Sequence, residues 1–230
     1  MRNWVLYGIV AIINFAIVYL ITISMIPFYC LYVYLTLVII ICVLPIKMKS
    51  GGEKRTFTAK ATNTLFFIFM AIPIVVHMIF PLNPEILFEK IVFFLLTTMF
   101  VVFCLLWRQS SIWLGSNYID GIEFPSCLVE NGPYILVRNP ICLAQIGLVI
   151  SFEFTPTITT VQSYRIISFV FAILVCLIII IAWKIRIQKE EGMLTALNKY
   201  QNYCERVPRI LPTLTSILNF LNEPICPKKC

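Results

Sequence analysis

The sequence predicts an all-α fold: a multi-pass membrane helical bundle of about six crossings with a C-terminal cytosolic amphipathic helix. Three observations predict it. The 230 residues are 60% hydrophobic and only 13% charged, whereas a soluble domain is nearer half apolar and about a quarter charged. Apolar runs of the length that crosses a hydrocarbon core recur along the chain. The apolar/polar alternation of half-buried strands is missing.

The first run, Trp4 to Ile26, is too long for a signal-peptide core and no small-residue cleavage site follows it, so it reads as a retained span. Pro27 then breaks the pattern, and Phe28 to Ile46 forms the second arm of a tight helical hairpin. A basic segment centred on Gly51-Gly52 leads to run three, about Thr64 to Phe80, which "PLNPE" closes. Run four is about Ile86 to Trp107, and the longest polar stretch, Arg108 to Arg138, follows it. Run five is short, Pro140 to about Phe154. "TPTITTVQS" reads as a loop, run six is about Ile166 to Trp183, and a mixed tail completes the chain.

The net charge of +7 is a topology signal and not a nucleic-acid footprint. With both termini in the cytoplasm, Lys90 and Arg165 alone among the 18 Lys and Arg fall on the far side. The sequence therefore reads as an integral membrane protein, of a bacterial inner membrane before an endoplasmic reticulum. It divides into a four-span region at 1–107, a region at 108–212 that carries the polar motifs, and a tail at 213–230. Several of the nine cysteines lie inside apolar runs, where free Cys acts as a small hydrophobe. "CPKKC" offers two thiolates, too few for zinc, and no Cys stands in the prenylation position. The sole histidine, His77, reads as a hydrogen-bonded helix residue, and Glu153 as a side chain reaching the far interface.

No G-x-G-x-x-G follows a strand, and there is no P-loop. Two polar constellations remain. In "LVENGPYILVRNP", Asn131-Gly132-Pro133 is a turn signal, and Pro140 stands at a first helical position. The helix start at Asn139 and Pro140 presents unpaired amides that suit an anionic group. On spacing alone, Arg138 beside it is equally a cytoplasmic anchor. In "KIRIQKEEGMLTALNKYQNYCERVPRILP", Ile187, Glu190, Leu194 and Leu197 recur at helical spacing. That places Glu190 on an apolar face, where a lone carboxylate is costly, with Arg186 in reach for pairing and Glu191 roughly 100° away. On spacing alone this segment is equally an interfacial amphipathic helix.

Together the constellations resemble the isoprenylcysteine carboxyl methyltransferases and their relatives, the phospholipid N-methyltransferases. The family's first motif is L-V-x-x-G-P-Y-x-x-x-R-H-P-x-Y-x-G, which Leu128, Val129, Gly132, Pro133, Tyr134, Arg138 and Pro140 match. Its second is a basic residue, E-E-x-x-L, then Y-x-x-Y-x-x-x-V-P-R-x-x-P. Arg186, Glu190, Glu191, Leu194, Tyr200, Tyr203, Val207, Pro208, Arg209 and Pro212 match it. The resemblance covers Arg108 to Pro212, and "VPR…P" looks like the bacterial branch. Asn139 stands for the family histidine, Cys142 for its tyrosine and Ala144 for its glycine, and the F-G pair before Tyr200 is missing.

The resemblance implies an S-adenosylmethionine-dependent methyltransferase acting on the carboxylate of a prenylated cysteine or another lipid-like acceptor in the membrane. It implies that Arg186 and Glu190 are catalytic. It implies a cofactor site of Tyr134, Arg138, Asn139, Pro140, Glu190, Glu191 and Tyr203, with no metal. A phospholipid amine as acceptor, or a non-catalytic membrane protein on the same scaffold, are the alternatives.

Overall fold

The computed structural model describes residues 87–114, 128–159, 162–195 and 200–222, with the isolated helical residues 12, 13, 16 and 20. Runs two and three, most of run one and His77 lie outside the described residues. Most of those described are helical, with no strand among them. Six described helices follow in order: α1 Leu87–Leu114, α2 Pro133–Leu136, α3 Pro140–Thr159, α4 Gln162–Leu194, α5 Tyr200–Arg206 and α6 Leu214–Asn222.

The three long helices pack side by side with α3 between α1 and α4. Trp113, near the end of α1, meets Gly132 just ahead of α3, and Phe100 stacks against Phe152, so these two helices are antiparallel. Thr157 at the end of α3 meets Ser168 at the start of α4, again antiparallel. An ion pair of 2.6 Å between Arg165 and Glu89 ties the starts of α4 and α1 together.

Small residues set the α1–α3 distance. A Cβ on Gly147 would collide with the Phe103 ring, and Ala144 and Ser151 lie on neighbouring turns with no exposure to speak of. Close approach through small residues is how helices pack where lipid removes the hydrophobic drive between them. One buried hydrogen bond, Trp183 Nε1 to Gln145 Oε1 at 2.8 Å, joins α4 to α3. The hydroxyls of Thr97, Ser110, Ser111, Ser151 and Thr155 each donate to the carbonyl four residues back. That pairing lets polar residues sit in an apolar bundle without orphaned donors.

Among the described residues, two helices, Phe88–Leu114 and Tyr164–Leu194, are long and apolar enough to cross a membrane. Their outward faces are apolar too: Ile166, Phe169, Val170, Leu174, Leu177, Ile178 and Ile181 of α4 are all exposed. A helix packed on a water-facing domain carries polar residues on that outward face instead.

Several sequence expectations change. The stretch Arg108–Leu114 continues α1, because Ser110 and Ser111 bond back into the helix and no breaker precedes Gly115. The predicted loop from Thr155 is helical to Thr159, with Thr155 and Thr157 bonded to the carbonyls of Ser151 and Glu153. Glu153 does not reach an interface. It is 3% exposed, within electrostatic reach of Cys176 on α4, because its position on α3 faces the neighbouring helix. The amphipathic tail segment is not a separate helix up to Leu194, since nothing between Trp183 and Lys189 interrupts α4.

Candidate functional site

At the end of the bundle where α3 begins, the two sequence constellations meet. The first is shaped by Gly132. Its φ of 63° and ψ of −134° are open to glycine alone in practice, and a Cβ there would strike the Trp113 indole. Pro133 then starts the short α2, which holds Tyr134 buried. The chain leaves α2 through Val137 in an extended conformation and enters α3 at Pro140. Asn139 caps that entry with its carbonyl, which accepts from the Leu143 amide at 3.0 Å.

The second constellation folds back onto this turn. The Arg138 amide donates to the Pro208 carbonyl at 2.8 Å, and the Asn139 amide to the Arg209 carbonyl at 3.2 Å. The Asn139 amide, at the helix start expected to await an anion, is therefore taken by the chain's own tail, as is the Arg138 amide ahead of it. Tyr203 donates its hydroxyl to the Tyr134 carbonyl at 2.7 Å, pinning α5 to α2. At the rim, Arg206 pairs with Glu130 at 2.9 Å, both partly exposed.

Glu191 is the centre. The buried positions of lower α4 are Trp183, Ile187 and Glu191, each four residues apart. This face, not the stripe through Glu190, turns toward the α3 entry. Glu191 Oε1 accepts from Asn139 Nδ2 at 3.3 Å and pairs with Arg138 Nη1 at 3.3 Å, while Oε2 is held by Arg209. Asn139 Nδ2 also lies 3.2 Å from the Arg209 carbonyl. Glu190 sits aside, half-buried, with Arg186 Nε 2.7 Å from its Oε1. Pairing with Arg186 was expected from the spacing; the greater burial of Glu191 was not.

Cys142, on the first turn of α3, is buried within electrostatic reach of Glu190, Arg186 and Glu191, and so links the two acidic positions. Sequence reasoning left Arg209, Cys204 and Tyr200 out of the site. Arg138 Nη1 donates to the Cys204 sulfur at 2.8 Å, and Tyr200 is buried with its ring 6.2 Å from that of Tyr203. Arg209 was legible as part of "VPR"; nothing in the spacing signals Cys204.

Burial pushes the phenols of Tyr200 and Tyr203 well above their ordinary range; Tyr200 adds to the effect on Tyr203, and Arg138 opposes it. The Glu191 hydrogen bond raises the Arg209 guanidinium further still. The buried Arg138 Nε has no hydrogen-bond partner among the described residues, while the Tyr200 hydroxyl lies against the Cys204 and Arg138 side chains. The donor set is thus two arginines, an asparagine and a neutral phenol around one carboxylate. Both arginines and the asparagine are spent on Glu191, a charge-assisted cluster that ties the two sequence constellations together. Among the described residues no three metal-ligating side chains cluster. No protein-family model, curated protein or solved structure matches this chain.

Proposed function

We propose that the chain is an integral membrane methyltransferase that uses S-adenosylmethionine and acts on the carboxylate of a lipid-like acceptor, such as a prenylated cysteine. One observation carries the reading: two motifs far apart in sequence converge on Glu191, at the end of an apolar bundle, through Arg138, Asn139 and Arg209. Basic residues crowd this end, with Arg108, Arg138, Lys184, Arg186, Arg206 and Arg209 against Lys90 and Arg165 at the other. By the positive-inside rule the site then faces the cytoplasm, with both termini.

The residues present fit the cofactor. The orphaned Arg138 Nε is buried beside Glu191 and its donors, a donor of the kind an amino-acid carboxylate requires. Bound there, S-adenosylmethionine supplies an electrophilic methyl on a sulfonium. The chain's own part is positioning. A carboxylate acceptor is ionised near neutral pH, so no strong base is needed. Arg186, fixed at Nε by Glu190, orients the acceptor carboxylate. Tyr203 and Tyr134 keep α5 against α2 so that water is excluded from the Glu191 side. Holding the two partners in line contributes several kcal/mol on its own. The acceptor's lipid tail enters sideways between spans.

Calorimetry on the full detergent-solubilised chain tests this. Saturable binding of S-adenosylmethionine and S-adenosylhomocysteine is expected, and Arg138→Ala abolishes it while circular dichroism shows the helices intact. Absence of binding to folded protein overturns the proposal. It would favour the non-catalytic reading, which the direct Arg138–Glu191 and Asn139–Glu191 contacts support, since they close the two motifs on each other. A phospholipid amine as acceptor would instead show activity rising steeply with pH near neutrality, because an amine must lose its proton before it attacks.

A further inference from the structure

The helix α6 is inside out for a soluble protein. Leu214, Ile217 and Leu218 recur at the spacing of one helix face, and all are exposed, Leu214 by 74%. Leu211, just ahead, is 76% exposed. The polar Ser216 is the buried residue, at 3%. A helix packed on a water-facing surface shows the opposite arrangement.

The helix is well made. Thr213 and Ser216 cap it reciprocally, Ser216 N to Thr213 Oγ1 at 3.2 Å and Thr213 N to Ser216 Oγ at 2.9 Å. It packs against α2, and the chain reaches it directly from Pro208 and Arg209 at the α3 entry. It therefore lies at the basic end of the bundle, where the apolar outer face of α4 ends at Ile185 and the exposed Lys184. Nine residues span only about 13 Å, too short to cross a bilayer and enough to lie in its plane. Arg209, nearly half exposed, precedes it, and Lys228 and Lys229 follow in the sequence.

We propose that α6 is an in-plane membrane anchor: its Leu214, Ile217 and Leu218 face enters the acyl boundary of the leaflet at the basic end, beside anionic phospholipid headgroups. The apolar face stands at the end of the bundle where α2 meets α1 and α3, and the flanking cations supply the headgroup attraction. This rests on the reading that α1 and α4 cross the bilayer.

The test uses the full chain in phosphatidylcholine–phosphatidylglycerol vesicles. Photoreactive benzoylphenylalanine replaces Leu214, Leu218, Thr215 or Asn219 in separate variants, and Ile178 on the outer face of α4 as a reference. After illumination, mass spectrometry counts lipid adducts. Leu214 and Leu218 are expected to yield adducts as Ile178 does, several-fold above Thr215 and Asn219. Equal low yields at all four α6 positions, with Ile178 still labelled, overturn the anchor. So do crosslinks from Leu214 or Leu218 to another part of this chain or to a second copy. Loss of the Ile178 adduct as well overturns the membrane reading beneath it.

Discussion

Replacing Glu191 by alanine removes the counter-charge of two arginines at once. Arg138 and Glu191 are 15% and 9% exposed at their side chains and 3.3 Å apart. Unit charges at that distance attract by about 5 kcal/mol at an effective dielectric near ~20, before desolvation offsets much of it. The quantity that matters for the variant is the cost of a buried arginine left unpaired, about 3–5 kcal/mol. Arg209 is nearly half exposed, so its lost pair adds only about 0.2–1 kcal/mol. Glu191→Ala is thus expected to lose roughly 3–5 kcal/mol. Glu191→Gln, whose amide still accepts one bond, loses about half of that, roughly 1–3 kcal/mol. The comparison is Glu190→Ala. Glu190 is more than one-third exposed and pairs with Arg186 across one turn, worth about 0.3–0.5 kcal/mol. Thermal unfolding in detergent, followed by circular dichroism, reads the order. At about 2–4 °C per kcal/mol, Glu191→Ala drops the midpoint by roughly 6–20 °C while Glu190→Ala scarcely moves it. Equal drops, or a larger one for Glu190→Ala, refute the placement of Glu191 as the hub.

Gly132→Ala forces a Cβ into a positive-φ turn against Trp113, and loses at least about 1–3 kcal/mol in the same unfolding assay. Gly192→Ala, in α4 with open space around it, gains up to about 1 kcal/mol as helix propensity alone dictates. Tyr203→Phe removes a buried bond to the Tyr134 carbonyl and costs about 0.5–1.5 kcal/mol. Tyr200→Phe removes a buried hydroxyl that meets Cys204 and Arg138, costs about 0.5–1.5 kcal/mol and weakens S-adenosylhomocysteine binding by calorimetry. Burial raises both phenols in the folded state, so the stability they contribute is whole below the unfolded tyrosine value of about 10 and falls as pH rises beyond it. Unfolding midpoints taken across the alkaline range should fall less for the Tyr200→Phe, Tyr203→Phe double variant than for the parent.

The helical class and the last three apolar runs were legible because length and composition alone decide them. The boundaries were less so. Serine and threonine read as loop formers at Ser110, Ser111, Thr155 and Thr157, yet each hydroxyl can bond its own helix, and in an apolar bundle that choice wins. At the site, "GPY" and "RNP" marked a turn and a helix start, and both are there. The choice between Glu190 and Glu191 was not legible. Neighbouring residues on a helix differ by 100°, and which one is buried depends on where α3 lies, a fact of packing and not of spacing. The same holds for the amides just ahead of α3: the sequence marks a helix entry, but not that Pro208 and Arg209 return to meet Arg138 and Asn139.

One continuous helix carries both the exposed apolar belt and the hub carboxylate. The 33 residues of α4 are about 50 Å long, well beyond a hydrocarbon core of roughly 30 Å. Glu191 stands eight residues, about 12 Å, past the Trp183–Gln145 bond that clamps α4 to α3. With that bond as fulcrum, a tilt of about 5° swings the carboxylate by ~1 Å, and tilt is how a long helix answers a change in bilayer thickness. The bonds from Arg138 and Asn139 are already 3.3 Å long. A displacement of that size breaks or tightens both, so on the proposed membrane reading bilayer thickness would act on the site as a mechanical input.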